Sequence, residues 1–565
     1  MTRSDDHVKE CLRQFAQKSP VDWTQDEDNP RTVVGELEIG GTEATLRLQV
    51  PTFFPTQLPD VYVEPWDAFG FIPHVQTDGL VCYQETEGMV VDRRSPLSIL
   101  EGVLEKALSV LRNGASGNNE DVFAEEFESY WRRLESATSL PSLVEATDQP
   151  RLIRRAKKED TDFLADSEEQ ISAFLNGSSV KGDFTIQKAL YVPLKKSARV
   201  IPPRPDESLW SEEKIREVVW GNVASAFKSE VRDLCEELSG QTTTIVLGIP
   251  KETEGRSLVG IRYKGVEAEH PLLPESSSWK RIPLVLSRMD HGYIAPRSGA
   301  DTELSSRSVL LVGGGAVGGH LSFELGRAGV GQITLVDPEK LRPENTYRHA
   351  LGRGHWSDNK ARALKARLES KLPYLKCEAV PYKIQKALDR GELDLRDYDL
   401  IVCATGDMTL ELGLNDHRAG IGATLPLLHA WLEPYGIGGH VLVSGNDEAG
   451  CLECLFTSSS GDKRLHNRAA FAQKGQEFGR RLAGCGSLHT PYGSADALRT
   501  AELATRMATE VLTGRESGSP LRSWKGDPGE FLAEGYRLSN RFSLTSEQLE
   551  DQKYAYVAGE CPVCG

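Results

Sequence analysis

The sequence predicts a multidomain α/β protein, and three observations support this fold class. The chain has 565 residues, too many for one ordinary domain and suited to three or four. A glycine-rich turn joins an apolar strand to a helix within residues 308–328, a pattern typical of a nucleotide-binding βαβ unit. Two Cys-x-x-Cys pairs, Cys451 with Cys454 and Cys561 with Cys564, favour a metal site.

Composition and charge exclude several classes of protein. The 66 basic and 83 acidic side chains give a net charge of -17, which opposes nonspecific attraction to nucleic-acid phosphates. No run of about 18 apolar residues, the length that spans a bilayer, occurs in the sequence. The first residues are acidic, whereas a secretory signal needs a basic start and an apolar core. We therefore expect a cytoplasmic protein with reduced cysteines and with neither nucleic acid nor membrane as a partner.

Residues 1–145 are predicted to form an N-terminal α+β domain. An amphipathic stretch at 7–16 predicts a helix, and the alternation of apolar and polar residues over 31–50 predicts a hairpin or meander. Prolines crowd together at 51–65, where their fixed φ and missing amide donor predict a rigid extended loop. Helical spacing returns between residues 95 and 135.

Residues 146–300 are predicted to contain a linker and a middle α/β domain. The charge-dense run at 151–158 is interpreted as part of the connector. Ser211, followed by two glutamates, predicts a helix start, and strand-like runs follow at 244–248 and 258–263. The chemistry of this domain is not revealed by its residues, so partner docking and an inactive adenylation-like role both stay open.

The C-terminal domain, residues 301–565, begins with a glycine-rich loop. Gly313, Gly315 and Gly318 let the backbone approach phosphates, and the following helix N-terminus supplies N–H donors. Asp337 ends the second strand, where a carboxylate can accept the ribose hydroxyls. An NAD-dependent dehydrogenase would use the same features, so this part alone does not identify the nucleotide.

The polar residues beyond the second strand favour ATP over NAD. Asn345, Arg348 and Lys360 follow in order, and Asp407 comes after a further apolar strand. Hydride transfer gives no reason for such a set, whereas attack on an α-phosphate needs neutralised phosphate charge and an acid that holds magnesium. Any one of these cations alone is more often a solvated surface charge, so the prediction of a Mg2+-ATP site depends on the whole set.

These residues resemble the ubiquitin-activating and ThiF/MoeB-type adenylating enzymes over about residues 300–565. The resemblance implies a Rossmann-like adenylation domain, a homodimer, and the following roles: ribose binding by Asp337, phosphate binding by Asn345, Arg348 and Lys360, and magnesium coordination by Asp407. Arg288 and Arg297 lie just upstream, where arginine fingers of these enzymes reach a neighbouring active site. Isolated arginines usually have no such role, so the function of these two stays open.

The two Cys-x-x-Cys pairs suit a closed tetrahedral Zn2+ site of four thiolates, which is a structural rather than a catalytic arrangement. A redox role for one pair is the minor alternative. The adenylating family carries the same paired motif. Of the other cysteines, four have apolar or helical neighbours and are assigned to packing: Cys11, Cys235, Cys377 and Cys403.

Cys485 lies between the two pairs and is the predicted nucleophile of the adenylating domain. Glycines flank it on both sides, and Arg480 and Arg481 precede it. A mobile thiol near positive charge is suited to attack on an acyl-adenylate. A small buried side chain is the alternative. Family members that form a thioester carry their cysteine in a comparable loop.

Cys82 belongs to a different pattern. The strand-like stretch at 44–50, the proline-rich loop and His74 a few residues before Cys82 resemble the core of ubiquitin-conjugating enzymes. The resemblance implies that Cys82 is a second catalytic nucleophile and that His74 assists it. Val75 and Gln76 follow His74, so the Asn of the usual His-Pro-Asn motif is missing and oxyanion stabilisation needs another donor. A purely structural role of His74 is the alternative.

A conjugating-like domain ahead of an activating-like domain resembles the fused ubiquitin-transferase-like proteins of bacterial CBASS antiphage operons. The resemblance implies that the C-terminal glycine carboxylate of a partner protein, there a cGAS-like nucleotidyltransferase, is activated with Mg2+-ATP. The acyl group then passes as a thioester from Cys485 to Cys82 and reaches a lysine amine of a target protein. Two alternatives stay open: a sulfur-carrier-protein adenylating enzyme, and a chain whose N-terminal domain is only a binding module.

Overall fold

The structure is a computed structural model, and the residues that it describes are 5–118, 121–159, 161–176, 184–204, 209–240, 242–253, 255–264, 269–274, 280–422, 424–445, 449–457, 466–481 and 488–564. The chain divides into two compact units, one of residues 1–171 and 182–290 and the other of residues 172–181 and 291–565. Among the described helices, none combines the length and the apolar character that crossing a bilayer requires.

Seven α-helices and eleven strands begin among the described residues of the first unit, which also contains one 3-10 helix (Ser225–Phe227). The α-helices are α1 (Asp5–Lys18), α2 (Pro96–Ala115), α3 (Val122–Glu125), α4 (Phe127–Arg132), α5 (Glu168–Asn176), α6 (Glu212–Asn222) and α7 (Lys228–Glu237), and residues 172–176 of α5 belong to the second unit. Its strands are β1 (Trp23–Gln25), β2 (Thr32–Ile39), β3 (Thr42–Gln49), β4 (Asp60–Glu64), β5 (Thr138–Ser142), β6 (Arg151–Lys158), β7 (Thr161–Ala165), β8 (Thr185–Pro193), β9 (Thr244–Pro250), β10 (Arg256–Lys264) and β11 (Lys280–Arg288).

The N-terminal part of this unit is an antiparallel sheet in the order β1-β2-β3-β4, with α1 and α2 contributing to its core. Leu46 and Leu48 alternate with outward residues on β3 and pack with Leu12 and Leu100 from the two helices. The predicted helix and meander are therefore confirmed. The proline-rich stretch is not loop throughout, because it contains β4; this strand lies at the sheet edge, where flanking prolines remove no ladder hydrogen bond.

The remaining strands of the first unit form a closed barrel in the order β10-β11-β5-β7-β6-β8-β9. Apolar side chains such as Ile153, Val246 and Leu284 fill a core of this barrel. The charge-dense run at 151–158 is strand β6 rather than connector, because its buried positions hold Ile153 and Ala156 while Arg155 pairs with Asp162 at 2.6 Å. The predicted helix start is confirmed, since the Ser211 hydroxyl caps α6.

The second unit contains eight α-helices, seven short 3-10 helices and nine strands among its described residues. The helices are α8 (His291–Arg297), α9 (Ala316–Ala328), α10 (Lys360–Glu369), α11 (Ile384–Asp389), α12 (Met408–Gly420), α13 (Ser494–Leu512), α14 (Gly529–Ala533) and α15 (Ser546–Asp551). The strands are β12 (Ser308–Val312), β13 (Gln332–Val336), β14 (Lys376–Val380), β15 (Leu400–Cys403), β16 (Leu427–Leu432), β17 (Gly438–Ser444), β18 (Arg480–Arg481), β19 (Leu488–His489) and β20 (Leu521–Lys525).

Seven of these strands form one sheet in the order β14-β13-β12-β15-β16-β17-β20. The first five run parallel, and β17 and β20 are antiparallel to their neighbours. The strand order reverses between β12 and β15, and in open α/β sheets ligands bind beyond the carboxyl ends of the strands at such a reversal. The glycine-rich loop follows β12, and the loop that holds Asp407 follows β15.

Candidate functional sites

The glycine-rich loop leaves the sheet at this reversal point in a conformation that requires glycine. Gly313 has a φ of 97°, and a Cβ there would lie 2.6 Å from the Ala404 carbonyl oxygen. A Cβ at Gly318 would lie 1.8 Å from the Gly313 carbonyl oxygen. At Gly315, the N-cap of α9, a Cβ would meet open space. The loop is therefore packed on its sheet side and open at the helix N-terminus, where a phosphate would bind.

Asp337 lies directly after β13 and supports the same loop. Its Oδ2 accepts a hydrogen bond from Gly314 N at 2.7 Å, and its Oδ1 accepts one from Glu339 N at 2.7 Å. Burial raises the pKa of this carboxyl group. Lys360, the first residue of α10, is also buried, and its Nζ lies 2.6 Å from Glu339 Oε2. The predicted pair of Asp337 and Lys360 thus shares one neighbour, Glu339.

Asn345 and Arg348 occupy a turn after β13. The Asn345 side-chain oxygen accepts a hydrogen bond from Arg342 N at 3.1 Å and so closes this turn. The Arg348 guanidinium lies 4.9 Å from the centre of the Tyr492 ring, a cation–π contact that fixes its position next to α13. Both side chains therefore have local partners that position them. Their contact with phosphates stays a prediction.

Asp407 is the N-cap of α12. Its Oδ1 accepts hydrogen bonds from Thr409 N and Leu410 N, each at 3.1 Å. The residue is exposed and lines a cavity of about 340 Å³. One carboxylate oxygen is thus engaged in capping, while no group among the described residues donates a hydrogen bond to the other, which leaves it open to a cation such as magnesium.

The four cysteines of the two Cys-x-x-Cys pairs lie together. Their Sγ atoms all lie within 4.8 Å of one another, with Cys451 and Cys561 at 3.6 Å and Cys454 and Cys564 at 3.4 Å. Hydrogen bonds from Cys451 and Cys564 lower the pKa of the Cys454 thiol. Four sulfurs at the corners of a tetrahedron with Zn–S bonds of about 2.3 Å would lie about 3.8 Å apart, so the cluster fits one zinc ion.

Cys82 is exposed at the edge of a cavity of about 220 Å³ in the first unit. The cavity is lined by His74, Val75, Gln76, Cys82, Glu126, Ser129, Tyr130 and Arg133. The backbone N–H of Cys82 donates to the His74 carbonyl oxygen at 2.7 Å, and Gln76 Nε2 lies 3.3 Å from Cys82 Sγ. The structure therefore brings the predicted His74 and Cys82 together, with Gln76 in contact with the sulfur.

The His74 side chain faces a carboxylate. Its Nδ1 lies 3.5 Å from Glu126 Oε1, and its backbone N–H donates to the Tyr130 hydroxyl at 3.2 Å. His74 has a φ of 65°, a left-handed conformation that costs a non-glycine residue energy. Several contacts thus hold the residue in place, and its ring has a partner other than Cys82.

Several sequence-predicted residues lie elsewhere. Cys485 lies outside the described residues. The Arg288 guanidinium is buried and donates to Asp290 Oδ1 and Oδ2 at 2.9 and 2.8 Å, both within the first unit. Arg297 stacks on the Tyr293 ring at 3.8 Å. Four cysteines assigned to packing are buried, as predicted: Cys11, Cys235, Cys377 and Cys403.

The sequence did not single out four residues of these sites. Glu126 and Tyr130 lie in a helical stretch without a motif, so only the folded chain brings them to Cys82. Glu339 and His349 flank the residues of the nucleotide motif, and the adjacency of His349 to Arg348 was the one available signal. Gln76 was noted only as a departure from a motif, although its amide contacts Cys82 Sγ.

Comparisons with known proteins match both parts of the chain. Prokaryotic E2 family B matches residues 10–139, and the ThiF family matches residues 295–514. The ATP-dependent ubiquitin transferase-like protein Cap2 of Pseudomonas aeruginosa (strain BWHPSA011 / Pa011) is 26% identical over 484 residues, which cover 82% of this chain and 84% of that protein. The protein of the same name from Escherichia coli (strain TW11681) is 22% identical over 583 residues, with coverage of 94% and 92%.

A further relative is the adenylyltransferase and sulfurtransferase uba4 of Aspergillus clavatus, 27% identical over 212 residues that cover 35% of this chain and 40% of that protein. These findings confirm the resemblance of the two parts to conjugating-like and adenylating proteins. The chain therefore joins a segment of the prokaryotic E2 family B type to a ThiF-type adenylation segment, and it is related over most of its length to bacterial ATP-dependent ubiquitin transferase-like proteins.

Proposed function

We propose that this protein uses Mg2+-ATP to activate the C-terminal glycine carboxylate of a partner protein and transfers the acyl group to a lysine amine of a target. The observation that carries the proposal is the exposed Cys82 thiol in its own cavity, in a chain that also holds a glycine-rich loop at the reversal point of a ThiF-type sheet. Adenylation makes an acyl group transferable, and a second thiol site offers a place from which to transfer it.

In this proposal the adenylation segment binds the nucleotide around the glycine-rich loop. The open backbone at Gly315 and the N-terminus of α9 receive the phosphates, while Asp337 binds the ribose. Asn345 donates a hydrogen bond to a phosphate oxygen, and Arg348 and Lys360 neutralise phosphate charge. Lys360 exchanges its contact with Glu339 for one with the nucleotide. Asp407 offers its second oxygen to Mg2+, which when bound withdraws charge from the phosphates.

The acyl group moves through two thiols. The partner's carboxylate attacks the α-phosphorus and releases pyrophosphate, and the Cys485 thiolate then displaces AMP to form a thioester. Cys82 takes the acyl group from Cys485 by thioester exchange, and an amine nitrogen finally replaces sulfur at the carbonyl carbon. Each transfer has a lower barrier than direct condensation of the carboxylate with the amine, because AMP and a thiolate are better leaving groups than the oxygen of a free carboxylate. This lower barrier is the advantage of covalent catalysis.

The cysteine cluster has a structural role in this account. The four sulfurs would bind Zn2+ as a closed tetrahedral site, which leaves no position for a substrate. The ion would cross-link the segment at Cys451 and Cys454 to the C-terminal residues at Cys561 and Cys564, and so stabilise the ThiF-type unit.

The partner is proposed from the resemblance to CBASS proteins and from the relatives named ubiquitin transferase-like. We propose a cGAS-like nucleotidyltransferase ending in glycine as the acyl donor, a homodimer of this chain, and cytoplasmic action in antiphage defence. The experiment that tests the adenylation step is ATP–pyrophosphate exchange with such a donor. Exchange that requires its terminal glycine and is lost in Asp407→Asn supports the proposal, and exchange without any donor dependence contradicts it.

A sulfur-carrier adenylating enzyme is the second candidate, and the similarity to the adenylyltransferase and sulfurtransferase uba4 favours it. Such an enzyme would share the nucleotide site and the cysteine cluster but would have no use for Cys82 in a prokaryotic E2 family B segment. Reaction products distinguish the two. A covalent conjugate that withstands thiol reductant supports amide formation, whereas a thiocarboxylate on the donor supports sulfur transfer.

A further inference from the structure

The side-chain amide of Gln76 is the group in contact with the Cys82 sulfur. Its Nε2 lies 3.3 Å from Sγ, and within the described residues this is the one hydrogen bond that either side chain makes. A primary amide carries two N–H donors, so one remains for an incoming oxygen atom. Gln76 therefore offers hydrogen-bond donors at the position where an acyl group on Cys82 would lie.

The backbone holds Gln76 in this position independently of its side chain. Its N–H donates to the Leu80 carbonyl oxygen and its own carbonyl accepts from Gly79 N, both at 2.9 Å. Gly79 has a φ of 87°, and a Cβ there would lie 2.4 Å from the Val63 carbonyl oxygen, so the turn depends on this glycine. A substitution of Gln76 thus removes the amide and leaves the turn.

Two other polar groups of the cavity, the Tyr130 hydroxyl and the His74 ring, are engaged away from the sulfur. The Tyr130 hydroxyl accepts from His74 N and donates to Glu126 Oε2 at 3.5 Å. Burial raises the pKa of Tyr130 to about 12, so its proton stays in place at neutral pH. The His74 ring faces Glu126 Oε1 through Nδ1. Neither side chain makes a hydrogen bond to Cys82 Sγ in the described part of the chain.

We infer that Gln76 donates a hydrogen bond to the oxyanion that forms when an amine attacks an acyl group on Cys82, an inference that rests on the proposed function. The amine nitrogen bonds to the carbonyl carbon and the C–O π electrons move to oxygen. When the intermediate collapses, the C–S bond breaks, its electron pair stays on Sγ, and the amine gives its proton to water. The oxygen is two bonds from Sγ, within reach of a donor that already contacts the sulfur.

The test uses the full chain with Cys485→Ala in every variant and p-nitrophenyl acetate as the acyl probe, so neither ATP nor the donor protein is needed. The ester acetylates Cys82 and releases p-nitrophenolate in a burst that Cys82→Ser lacks. Nα-acetyl-lysine then removes the acetyl group, and this transfer rate is measured. Alkylation of Cys82 by iodoacetamide serves as the comparison, because it reports the access and nucleophilicity of the thiol without forming an oxyanion.

We expect Gln76→Ala to slow acetyl transfer by about 10²–10³-fold, the effect of losing one oxyanion donor, while alkylation keeps the wild-type rate. Gln76→Glu, which keeps the side-chain length but lacks the donor, loses acetyl transfer similarly. Gln84→Ala is the matched control, because the Gln84 amide contacts Lys106 and not the sulfur; it keeps both rates.

Wild-type acetyl transfer in Gln76→Ala would overturn the inference. Equal loss of acetyl transfer and alkylation would also overturn it, since Gln76 would then only hold the thiol in place. Absence of a burst at Cys82 in the Cys485→Ala chain that retains Gln76 would overturn it as well. The proposed function fails on a different result: a chain that passes this test but forms no ATP-dependent adduct on Cys82 contradicts the relay and not the chemistry of Gln76.

Discussion

His349 Nε2 donates a hydrogen bond to the carbonyl oxygen of Gly314 across 2.6 Å. The assignment of the proton to Nε2 follows from the other ring nitrogen, because Nδ1 accepts from Leu351 N at 3.0 Å. Burial lowers the pKa of His349 to about 4, so the ring is neutral at pH 7 and keeps this pattern. A buried, neutral imidazole thus holds the backbone of the glycine-rich loop in place through a hydrogen bond to the Gly314 carbonyl oxygen.

Removal of this support is expected to weaken nucleotide binding. His349→Ala leaves the buried Gly314 carbonyl without its partner, a loss of about 1–3 kcal/mol. We expect a lower thermal midpoint and weaker ATP binding by calorimetry, while His349→Gln, whose amide can donate to the same oxygen, retains most of both. His355→Ala is the control, because the His355 ring makes its one hydrogen bond within the described residues to Asp358, away from the glycine-rich loop. Unchanged ATP affinity in His349→Ala would contradict a role of this contact in shaping the loop.

The same histidine predicts a pH dependence of stability. Its pKa is about 4 in the folded chain against 6.5 for an unperturbed histidine, so between these values the unfolded chain binds a proton that the folded chain does not. Stability from this group is complete above pH 6.5 and falls as the pH drops towards 4, by at most about 3 kcal/mol. Denaturant unfolding of the wild type and of His349→Gln at several pH values measures it. A slope with pH equal in the two proteins would contradict the prediction.

The cysteine cluster is expected to bind about one zinc ion per chain. Cys561→Ser removes one of four ligands, so metal analysis should show loss of zinc and melting should show a destabilised protein. Cys11→Ser is the control, because Cys11 is a buried cysteine outside the cluster and its loss leaves the zinc content unchanged. Zinc that stays bound in Cys561→Ser would show that the four thiols are not one site.

Arg288 is expected to act on stability and not as an arginine finger. Its guanidinium pairs with Asp290, a carboxylate with 0% exposure, so Arg288→Met leaves a buried charge without its partner and costs about 3–5 kcal/mol. The double variant with Asp290→Leu is expected to recover much of this loss. Arg297→Met, at an exposed position, changes the thermal midpoint little. If Arg288→Met kept normal stability but lost pyrophosphate exchange, the prediction would be contradicted and an arginine-finger role would be supported.

Local patterns made much of this account predictable. The glycine-rich loop, the helix start at Ser211 and the two Cys-x-x-Cys pairs depend on spacing within short segments, so the sequence alone shows them. The proline-rich region was predicted less well, because β4 lies between Pro59 and Pro65, and prolines at this density are also typical of a loop. The pairing of β4 with β3 forms only in the folded chain.

Contacts between segments that are distant in the sequence could not be predicted from such local patterns. The barrel closes through parallel pairing of β11 with β5, whose sequence positions differ by well over a hundred residues, so alternation within either strand gives no sign of the partner. The approach of Glu126 to His74 and of His349 to Gly314 depends on the same long-range packing. Such side chains resemble ordinary helix or core residues until the fold brings them to a site.

The intact mass of Cys82→Ser protein, purified from its native host, reports directly on the proposed acyl relay from Cys485 to residue 82. Serine in place of Cys82 would retain the acyl group as an ester that withstands thiol reductant. We expect an adduct with the mass of a protein ending in glycine, formed only with ATP and only when Cys485 is present. No adduct, in a protein that still exchanges pyrophosphate into ATP, would contradict the relay to Cys82.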